Sequence, residues 1–331
     1  MKHLFPVLFA LVLVQVAHAA ELQTHVVLAG PAPLASAAEI LRRAFTPITA
    51  APYQELQGLP LDQSKESFAV YVPAKKPPDD YALMVYVPPG NEAKIPDGWQ
   101  DVLDQNGVIF VAADNSGNDA QVRTRRMPLA LIAAQNIMRQ YPVNPAHVFV
   151  AGFSGGARVA LRLALAYPDL FTAAILNSGS DPIGTSEIPL PSADLFARFQ
   201  QDSRIVYVTG NLDQVPYNRD HASAQSLTDL CVANVNMMTM WGKAHETMSA
   251  GMLSEVLAAL LAPVPQSDSM AACRSNLDAA VKVQLAQVDA LIASGDKAGA
   301  RSLLTGIDAK YGGVAAPQSV ALDAELKALG N

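Results

Sequence analysis

The sequence predicts an α/β protein, in which a mostly parallel sheet carries helices on both faces. Short runs of apolar and β-branched residues alternate along the chain with patterns of helical period, and this order favours parallel strands joined by crossover helices. The runs near Val108–Val111 and Val148–Val150 are almost continuously apolar, which is typical of strands buried on both faces of a parallel sheet. Half of the 331 residues are hydrophobic and 16% are charged, so the chain can bury a large core and general disorder is excluded.

Residues 1–19 are predicted to be a signal peptide. Lys2 supplies a positive charge, an apolar run follows from Leu4 to Val14, and Ala17-His18-Ala19 has the small-x-small pattern of a cleavage site. The run is shorter than the about 20 residues that a membrane-spanning helix needs; a retained anchor is the alternative. We therefore expect an exported protein, periplasmic or secreted, with no membrane attachment after cleavage.

Residues 20–265 are predicted to form the main α/β domain. The predicted strands are Phe68–Val72, Ala82–Val87, Gly107–Ala112, His147–Phe153, Ala173–Leu176, Arg204–Thr209 and Asn234–Met240. The predicted helices are Trp99–Asp104, Ala120–Tyr141, Gly156–Tyr167, Ala193–Gln201, Asp220–Ala233 and Thr247–Leu261. Residues 181–200 interrupt this alternation with three prolines and one short helix. This stretch is either an insertion that caps the edge of the sheet or a plain connection between two strands.

Residues 266–331 are predicted to form a helical extension without strands. Apolar residues recur at helical spacing through residues 275–310, and Gly295-Asp296 marks a turn between two antiparallel helices. A third short helix is predicted over Ser319–Leu329. One helical hairpin is too little for a solenoid, which needs three or more repeats. We expect it to pack on the main domain; a separate docking module is the alternative.

Residues 147–167 contain the clearest chemical signal in the sequence. A predicted strand leads into Gly152-Phe153-Ser154-Gly155-Gly156, and an amphipathic helix follows. A strand that turns into a helix within about one residue strains the backbone of the serine, and glycines two positions away avoid collisions with the strand and the helix. The pattern G-x-S-x-G in this context predicts Ser154 as a nucleophile; a tight turn with a passive serine is the alternative.

A serine nucleophile needs a base within hydrogen-bond reach, and the six histidines of the sequence allow elimination. Two lie in the predicted signal peptide and one near the N-terminus, while His147 begins the strand that ends at Ser154, roughly 23 Å away at about 3.3 Å per residue. His245 follows the strand Asn234–Met240 by a short loop, at the carboxyl edge of the sheet. His221 lies in a polar helical stretch that is typical of a surface histidine. The sequence therefore favours His245 over His221 as the base.

The base in turn needs a carboxylate that orients its ring and stabilises the imidazolium. Asp213 comes just after the strand Arg204–Thr209, one strand before the histidine, and is our first choice. Asp181, after the preceding strand, is the second choice and Asp220 the third. Each of these aspartates has an alternative role as a turn or helix-capping residue.

An oxyanion hole needs two preorganised hydrogen-bond donors. The N–H of Gly155 is the first, because it lies at the N-terminus of the helix after Ser154. The second should come from the loop Pro88-Pro89-Gly90-Asn91. Proline has no N–H, so Gly90 or Asn91 must supply it.

A polar loop, residues 114–118, follows the strand Gly107–Ala112 at the same edge of the predicted sheet. Ligands of open α/β sheets bind at the carboxyl ends of the strands. We therefore predict that Asn115 and Ser116, together with Phe153 beside the serine, contact substrate. An ordinary Asn/Gly turn before a helix is the alternative.

The composition excludes several other function classes. With 23 basic and 30 acidic residues the formal charge is −7, which argues against nucleic-acid binding, and 6% aromatic residues argue against a stacking platform. Cys231 and Cys273 are too few for a disulfide scaffold, and no Cys/His cluster has zinc-ligand spacing. In an oxidising compartment the pair can form a disulfide that contributes roughly 3–4 kcal/mol; two separate buried thiols are the alternative.

These features together resemble the α/β-hydrolase superfamily. The elbow at Ser154, the stretch 210–217 around Asp213, and His245 before the last helix of the domain are similar to exported esterases related to polyhydroxybutyrate depolymerases and feruloyl esterases, over about residues 66–262. The order Ser, Asp, His is the one this superfamily uses. Residues 88–91 and the C-terminal helices depart from the family pattern.

The resemblance implies an α/β-hydrolase fold and a serine carboxylester hydrolase that forms an acyl-enzyme. Its substrate would be a small-molecule or polymeric ester, and this chemistry needs no metal or organic cofactor. The elbow does not distinguish esters from amides, so a serine peptidase of the prolyl-oligopeptidase type is an alternative. A catalytically silent binding protein, whose C-terminal helices dock a partner, is a further alternative. The sequence carries no signal for an oligomeric state.

Overall fold

The computed structural model describes residues 20–50, 53, 61–263 and 270–330, and it confirms the predicted α/β fold. Eight strands form one sheet in the order β1-β2-β4-β3-β5-β6-β7-β8, in which β3 to β8 are parallel and β1 and β2 are antiparallel to their neighbours. The strands are β1 Glu21–Val26, β2 Phe68–Val72, β3 Tyr81–Val87, β4 Val108–Ala113, β5 Val143–Phe153, β6 Ala173–Asn177, β7 Arg204–Gly210 and β8 Asn234–Met240.

Helices connect the parallel strands and also form the C-terminal part of the chain. They are α1 Ala37–Ala44, α2 Pro47–Ala50, α3 Trp99–Asn106, α4 Met127–Gln140, α5 Gly155–Ala166, α6 Ala193–Asp202, α7 Gln214–Asp229, α8 Ala250–Leu261, α9 Ala271–Ala293, α10 Lys297–Tyr311 and α11 Gln318–Ala328. A wide π-helical turn at Val122–Arg126 precedes α4, where the sequence predicts one continuous helix from residue 120.

The N-terminal edge of the sheet differs most from the prediction. Neither strand β1 nor helix α1 is predicted from the sequence. Strand β1 carries no apolar signal, because residues 21–26 are mostly polar and the strand is largely exposed. Helix α7 begins at Gln214 rather than at Asp220, since Pro216 is tolerated in the first turn of a helix. Asp213 therefore stands directly before a helix, at the carboxyl end of β7.

The sheet is covered on both faces, as predicted. On one face α4 and α5 pack against the sheet in the larger apolar core. On the other face α3 and α8 pack through residues such as Trp99 and Leu257 in a second core. Because strands β3, β4, β6 and β7 and the second half of β5 are almost entirely buried, the functional groups at the sheet's carboxyl edge rest on a rigid base.

The C-terminal helices form the predicted hairpin, α9 and α10, with α11 packed across it. Gly295 turns the chain in the left-handed region, with φ +82°, and Asp296 caps α10 by accepting a hydrogen bond from the N–H of Gly299. The three helices share their own apolar core. A disulfide joins Cys273 on α9 to Cys231 at the end of α7, which fastens this part of the chain to the main domain.

The connection before α6 is the surface on which the C-terminal helices rest. The N–H of Gly313 donates to the carbonyl of Leu190 at 3.0 Å, and a Cβ at Gly313 would lie 2.0 Å from the carbonyl oxygen of Pro191. The C-terminal helices thus contact this connection at Gly184 and at Leu190–Ser192, and α6 follows it.

The predicted signal peptide, residues 1–19, and the predicted domain boundary at residues 265 and 266 lie outside the described residues. Among the helices that the structure describes, none combines the length and the apolar character needed to cross a membrane.

Candidate active site

Ser154 occupies the sharp turn between β5 and α5. Its backbone has φ 56° and ψ −121°, a strained conformation that persists only where the surroundings impose it. A Cβ at Gly152 would lie 2.3 Å from the carbonyl carbon of Gly156, and a Cβ at Gly156 would lie 1.9 Å from the carbonyl oxygen of Val87. Both glycines of the motif are therefore required by close backbone contacts, and the turn presses directly on the end of β3.

The other end of the turn is held by strand β6. The N–H of Ser154 donates to the carbonyl of Asn177 at 2.8 Å, and a Cβ at Gly179 would lie 2.3 Å from the carbonyl oxygen of Ser154. The serine backbone is thus fixed from both neighbouring strands. Its hydroxyl projects at the carboxyl edge of the sheet.

His245 and Asp213 complete a chain of side-chain contacts with the serine. The Nε2 atom of His245 lies 2.9 Å from the Oγ of Ser154, and its Nδ1 lies 2.5 Å from the Oδ2 of Asp213. The imidazole is 43% exposed, whereas the side chain of Asp213 is 12% exposed. The structure thus brings together the three residues that the sequence selects, with the carboxylate on the ring nitrogen opposite the serine, as an orienting group requires.

The loops that carry Asp213 and His245 are bonded to each other. The side-chain oxygen of Asn211 accepts a hydrogen bond from the N–H of Gly242 at 2.6 Å, and the N–H of Leu212 donates to the carbonyl of Lys243 at 2.9 Å. These bonds set the distance between the carboxylate and the imidazole.

Asn177 is a positioning residue that the sequence analysis missed. Its buried side chain donates to the carbonyl of Val208 at 2.8 Å and accepts from the N–H of Met248 at 2.7 Å, while its backbone carbonyl holds Ser154. It therefore links the serine turn to the segment after His245. The signal that was available is a polar residue at the end of an otherwise apolar strand, at the functional edge of the sheet.

Two rings also support the histidine loop. The indole N–H of the buried Trp99 donates to the carbonyl of Met248 at 2.9 Å. Phe153 lies against the imidazole of His245, with ring centroids 4.8 Å apart. The predicted substrate contact of Phe153 stays a prediction; in the structure its ring packs on the candidate base.

The alternative residues occupy other positions. His221 lies on helix α7 against Tyr217, with ring centroids 4.5 Å apart and the rings tilted by 59°. Asp181 faces arginines rather than the imidazole. Asp220 is fully buried, where it accepts hydrogen bonds from the hydroxyls of Ser180 and Thr209, and burial raises its pKa to about 6.

The predicted oxyanion donors lie around the start of α5. Gly155 is the first residue of the helix, so its N–H is not needed for intrahelical bonding. A Cβ at Gly155 would lie 2.1 Å from the side-chain oxygen of Asn118, which brings that carboxamide against the serine turn. Asn91 braces this region, because its side-chain oxygen accepts from the N–H of Gly117 at 2.9 Å. Gly90 is exposed beside it.

A cavity of about 490 Å³ opens beside the serine, lined by Asn118, Val122, Arg126, Ser154, Gly155, Arg158, Arg162, Asp181, Glu187 and Arg219. Neither Asn115 nor Ser116, the predicted substrate contacts, is among these residues. Ser116 is buried and its carbonyl accepts from Arg126 at 2.9 Å, and the carbonyl of Asn115 accepts from Arg125 at 2.7 Å. In this loop it is Asn118 that reaches the cavity.

No metal cluster is found among the residues that the structure describes, since none of them form a group of three or more His, Cys, Asp or Glu able to hold an ion.

A doubly covered α/β sheet, with a serine on a strained turn at its carboxyl edge, has the fold of the α/β-hydrolase superfamily. Within that superfamily the chain belongs to the Esterase family, whose model, described as "Putative esterase", matches residues 70–276. The match spans more than half of the chain and includes Ser154, Asp213 and His245. The protein is thus a hydrolase of the esterase type, as the resemblance implies.

The chain is also similar to several solved structures at low sequence identity. A ferulic acid esterase is 17% identical, with 60% of this chain and 92% of that chain covered at a TM-score of 0.46. An S-formylglutathione hydrolase from Staphylococcus aureus is 12% identical, with 59% and 91% covered at 0.46. A poly(3-hydroxybutyrate) depolymerase from Bordetella parapertussis is 17% identical, with 63% and 88% covered at 0.43. No curated protein matches the chain.

Proposed function

We propose that this protein hydrolyses carboxylic esters through an acyl-enzyme formed on Ser154. The observation that carries the proposal is the chain of contacts from the Oγ of Ser154 through both ring nitrogens of His245 to Asp213, at 2.9 and 2.5 Å. A serine hydroxyl at its ordinary pKa is a weak nucleophile, and a base in this position activates it.

In this proposal the Oγ of Ser154 attacks the carbonyl carbon while Nε2 of His245 takes the hydroxyl proton. The bond from the acyl carbon to the alcohol oxygen then breaks, and Nε2 returns the proton to the leaving alkoxide. Water, deprotonated by the same nitrogen, attacks the acyl-enzyme and releases the acid, and the proton returns to Ser154. Asp213 keeps the ring in the required tautomer and stabilises the imidazolium.

The negative charge of each tetrahedral intermediate needs donors that are already in place. The N–H of Gly155 at the start of α5 is the first donor of the proposal, supported by the positive end of the helix dipole. The N–H of Gly90 or Asn91 is the second, since their loop follows β3 next to the serine turn. Both donors are assigned from the positions of their backbone N–H groups.

Hydrolysis of p-nitrophenyl butyrate tests the proposal. In Ser154→Ala, kcat/KM should fall roughly 10⁴-fold or more, because within the described part of the chain Ser154 supplies the one hydroxyl bonded to the imidazole. Ser302→Ala, which removes an exposed hydroxyl on α10, is the matched control and should match the wild type. A fluorophosphonate should label the wild type and not Ser154→Ala. Equal rates for wild type and Ser154→Ala would refute the proposal.

The matching p-nitroanilide separates ester from amide hydrolysis. We expect release of nitrophenolate without comparable release of nitroaniline. Faster hydrolysis of the anilide would instead favour the peptidase alternative, with the same nucleophile.

We also propose that the protein is exported. The disulfide between Cys231 and Cys273 supports this, because disulfides persist mainly in oxidising compartments. N-terminal sequencing of the protein from its natural source should then begin at Ala20, and a chain that still begins at Met1 would contradict export by signal cleavage.

A further inference from the structure

The cavity beside Ser154 is unusually rich in arginine. Arg126, Arg158, Arg162 and Arg219 line it together with two acids, Asp181 and Glu187, which leaves an excess of two positive charges. Among the described residues of the lining, Val122 is the one aliphatic side chain. Ligand cavities are commonly lined by apolar side chains with a few polar groups, so this composition is unsuited to a purely hydrocarbon acyl chain and points to an anionic ligand.

One of the four arginines is largely engaged by the protein itself. Arg126 donates to the carbonyls of Pro88, Ser116 and Gly155 at 2.9 to 3.2 Å. It therefore holds the oxyanion loop, the polar loop and the start of α5 together. Three of its five N–H groups are used in this way, and it adds positive charge to the cavity.

The other three arginines surround a single carboxylate. Arg158 and Arg162 each lie 3.6 Å from Asp181 and Arg219 lies 3.8 Å from it, which is longer than an N–H···O hydrogen bond of about 2.7–3.2 Å. The buried Nε of Arg158 has no hydrogen-bond partner among the described residues. An arginine carries five N–H donors, so donors remain here for an anion that enters the cavity.

The position of the cavity indicates which part of an ester would occupy it. Its described lining includes Ser154 and Gly155 but not His245. The leaving alcohol takes its proton from the imidazolium, so the alcohol must lie beside His245 and the acyl group on the other side of the serine. Arg158 and Arg162 follow Ser154 by one and two turns of α5, about 6 and 12 Å along the helix.

We infer that the preferred substrates are esters whose acyl part ends in a carboxylate, held by Arg158, Arg162 and Arg219. The inference rests on the proposed function, since it names the substrate class of the same serine. A planar guanidinium matches a carboxylate with paired hydrogen bonds.

The test compares two p-nitrophenyl esters of equal chain length, the hydrogen adipate, which is anionic, and the hexanoate, which is neutral. The readout is the ratio of kcat/KM for the anionic ester to that for the neutral one, corrected for spontaneous hydrolysis. A hydrogen bond of the usual strength to a charged group changes kcat/KM by a factor of roughly ten or more. We expect a wild-type ratio above about ten.

Variants of the arginines connect this ratio to the cavity. Arg219→Gln and Arg158→Gln should each lower the ratio roughly tenfold; Arg219 is 52% exposed, so its replacement leaves the core intact. Arg198→Gln is the matched control, because Arg198 is 54% exposed, pairs with Asp202 and does not line the cavity. It should keep the wild-type ratio.

The outcomes separate this inference from the proposed function. A wild-type ratio near one, or a ratio that neither arginine variant changes, overturns the carboxylate site while ester hydrolysis stands. If neither ester is hydrolysed and fluorophosphonate does not label Ser154, both the proposed function and this inference fall.

Discussion

The serine side and the histidine side of the candidate active site are built in different ways. Ser154 lies between a buried strand and a buried helix, and close backbone contacts at Gly152 and Gly156 fix its turn. His245 lies in an exposed loop and depends on Asn177 and other residues distant in sequence. The nucleophile is thus held by close backbone contacts within the buried sheet, whereas the base is held by hydrogen bonds to an exposed loop. We therefore expect substitutions on the serine side to lower activity sharply, and substitutions on the histidine side to lower it by smaller amounts.

The largest contrast is expected between two glycine substitutions. In Gly156→Ala the new Cβ would meet the carbonyl oxygen of Val87 at 1.9 Å, so α5 must move away from β3. A shift of about 1 Å at reacting groups can lower activity 10²-fold, and we expect at least that loss in kcat/KM, with a lower Tm. Circular dichroism and ester kinetics measure both.

Gly242→Ala is the partner experiment on the histidine side. Gly242 has φ +72° but no atom within 4 Å of a Cβ, so the substitution should cost about 1–2 kcal/mol of stability from backbone strain alone and change activity only a few-fold. If Gly242→Ala were the more damaging of the two, the proposed difference between the sides would be wrong.

The same difference explains which parts of the site the sequence could predict. The residues of the elbow are adjacent in sequence, and its two glycines indicate a sharp turn. Ser154 and Gly155 can therefore be predicted from a local pattern. His245 and Asp213 follow from elimination and from their places after β8 and β7. Asn177 could not be found in this way, because its partners Val208 and Met248 are brought near only by folding.

The misses in the fold have the same origin. Strand β1 is recognisable only by its pairing with β2, since its own residues are largely exposed and mostly polar. The arginine cavity is a similar case, because Arg158 and Arg162 lie on α5 and Arg219 on α7. In the sequence each is an ordinary surface cation, and only the fold brings the three together around Asp181.

A second prediction sharpens the comparison with two buried asparagines. Asn177→Ala leaves the N–H of Met248 without its acceptor, which costs roughly 1–3 kcal/mol and releases the segment after His245. We expect kcat to fall roughly tenfold to a hundredfold. Ester kinetics together with urea unfolding measure the two effects.

Asn136→Ala is the matched control. Asn136 is as buried as Asn177 and accepts a hydrogen bond from the N–H of Gly30 at 2.8 Å. It lies on α4 and does not line the cavity beside Ser154. It should lose similar stability and keep its kcat. An equal loss of kcat in both variants would show that the effect of Asn177 is general destabilisation.

The smallest expected effect concerns stability rather than activity, and it arises on the histidine side beneath Asp213. Burial raises the pKa of Asp220 to about 6 from an ordinary 3.8. Between about pH 4 and pH 6 the folded protein therefore keeps a proton that the unfolded chain has lost, so this contribution to stability is present at low pH and is lost as pH rises through about 6.

Asp220→Asn removes that titration. It should be more stable than the wild type at pH 7.5, by about 1–3 kcal/mol, and the gap should close near pH 4. Urea unfolding at the two pH values measures it, with Asp97→Asn, at an exposed carboxylate, as the control. A constant gap at both pH values would contradict a raised pKa at Asp220.

The disulfide joins Cys231 to Cys273, which are 42 residues apart in sequence, and so closes a covalent ring. That ring contains β8, the exposed segment with His245, and α8. A protease that cuts once within this exposed segment would leave both fragments tethered to each other. The piece bearing the imidazole could then re-dock on the piece bearing the hydroxyl, so a nicked molecule can survive where an unlinked one would fall apart.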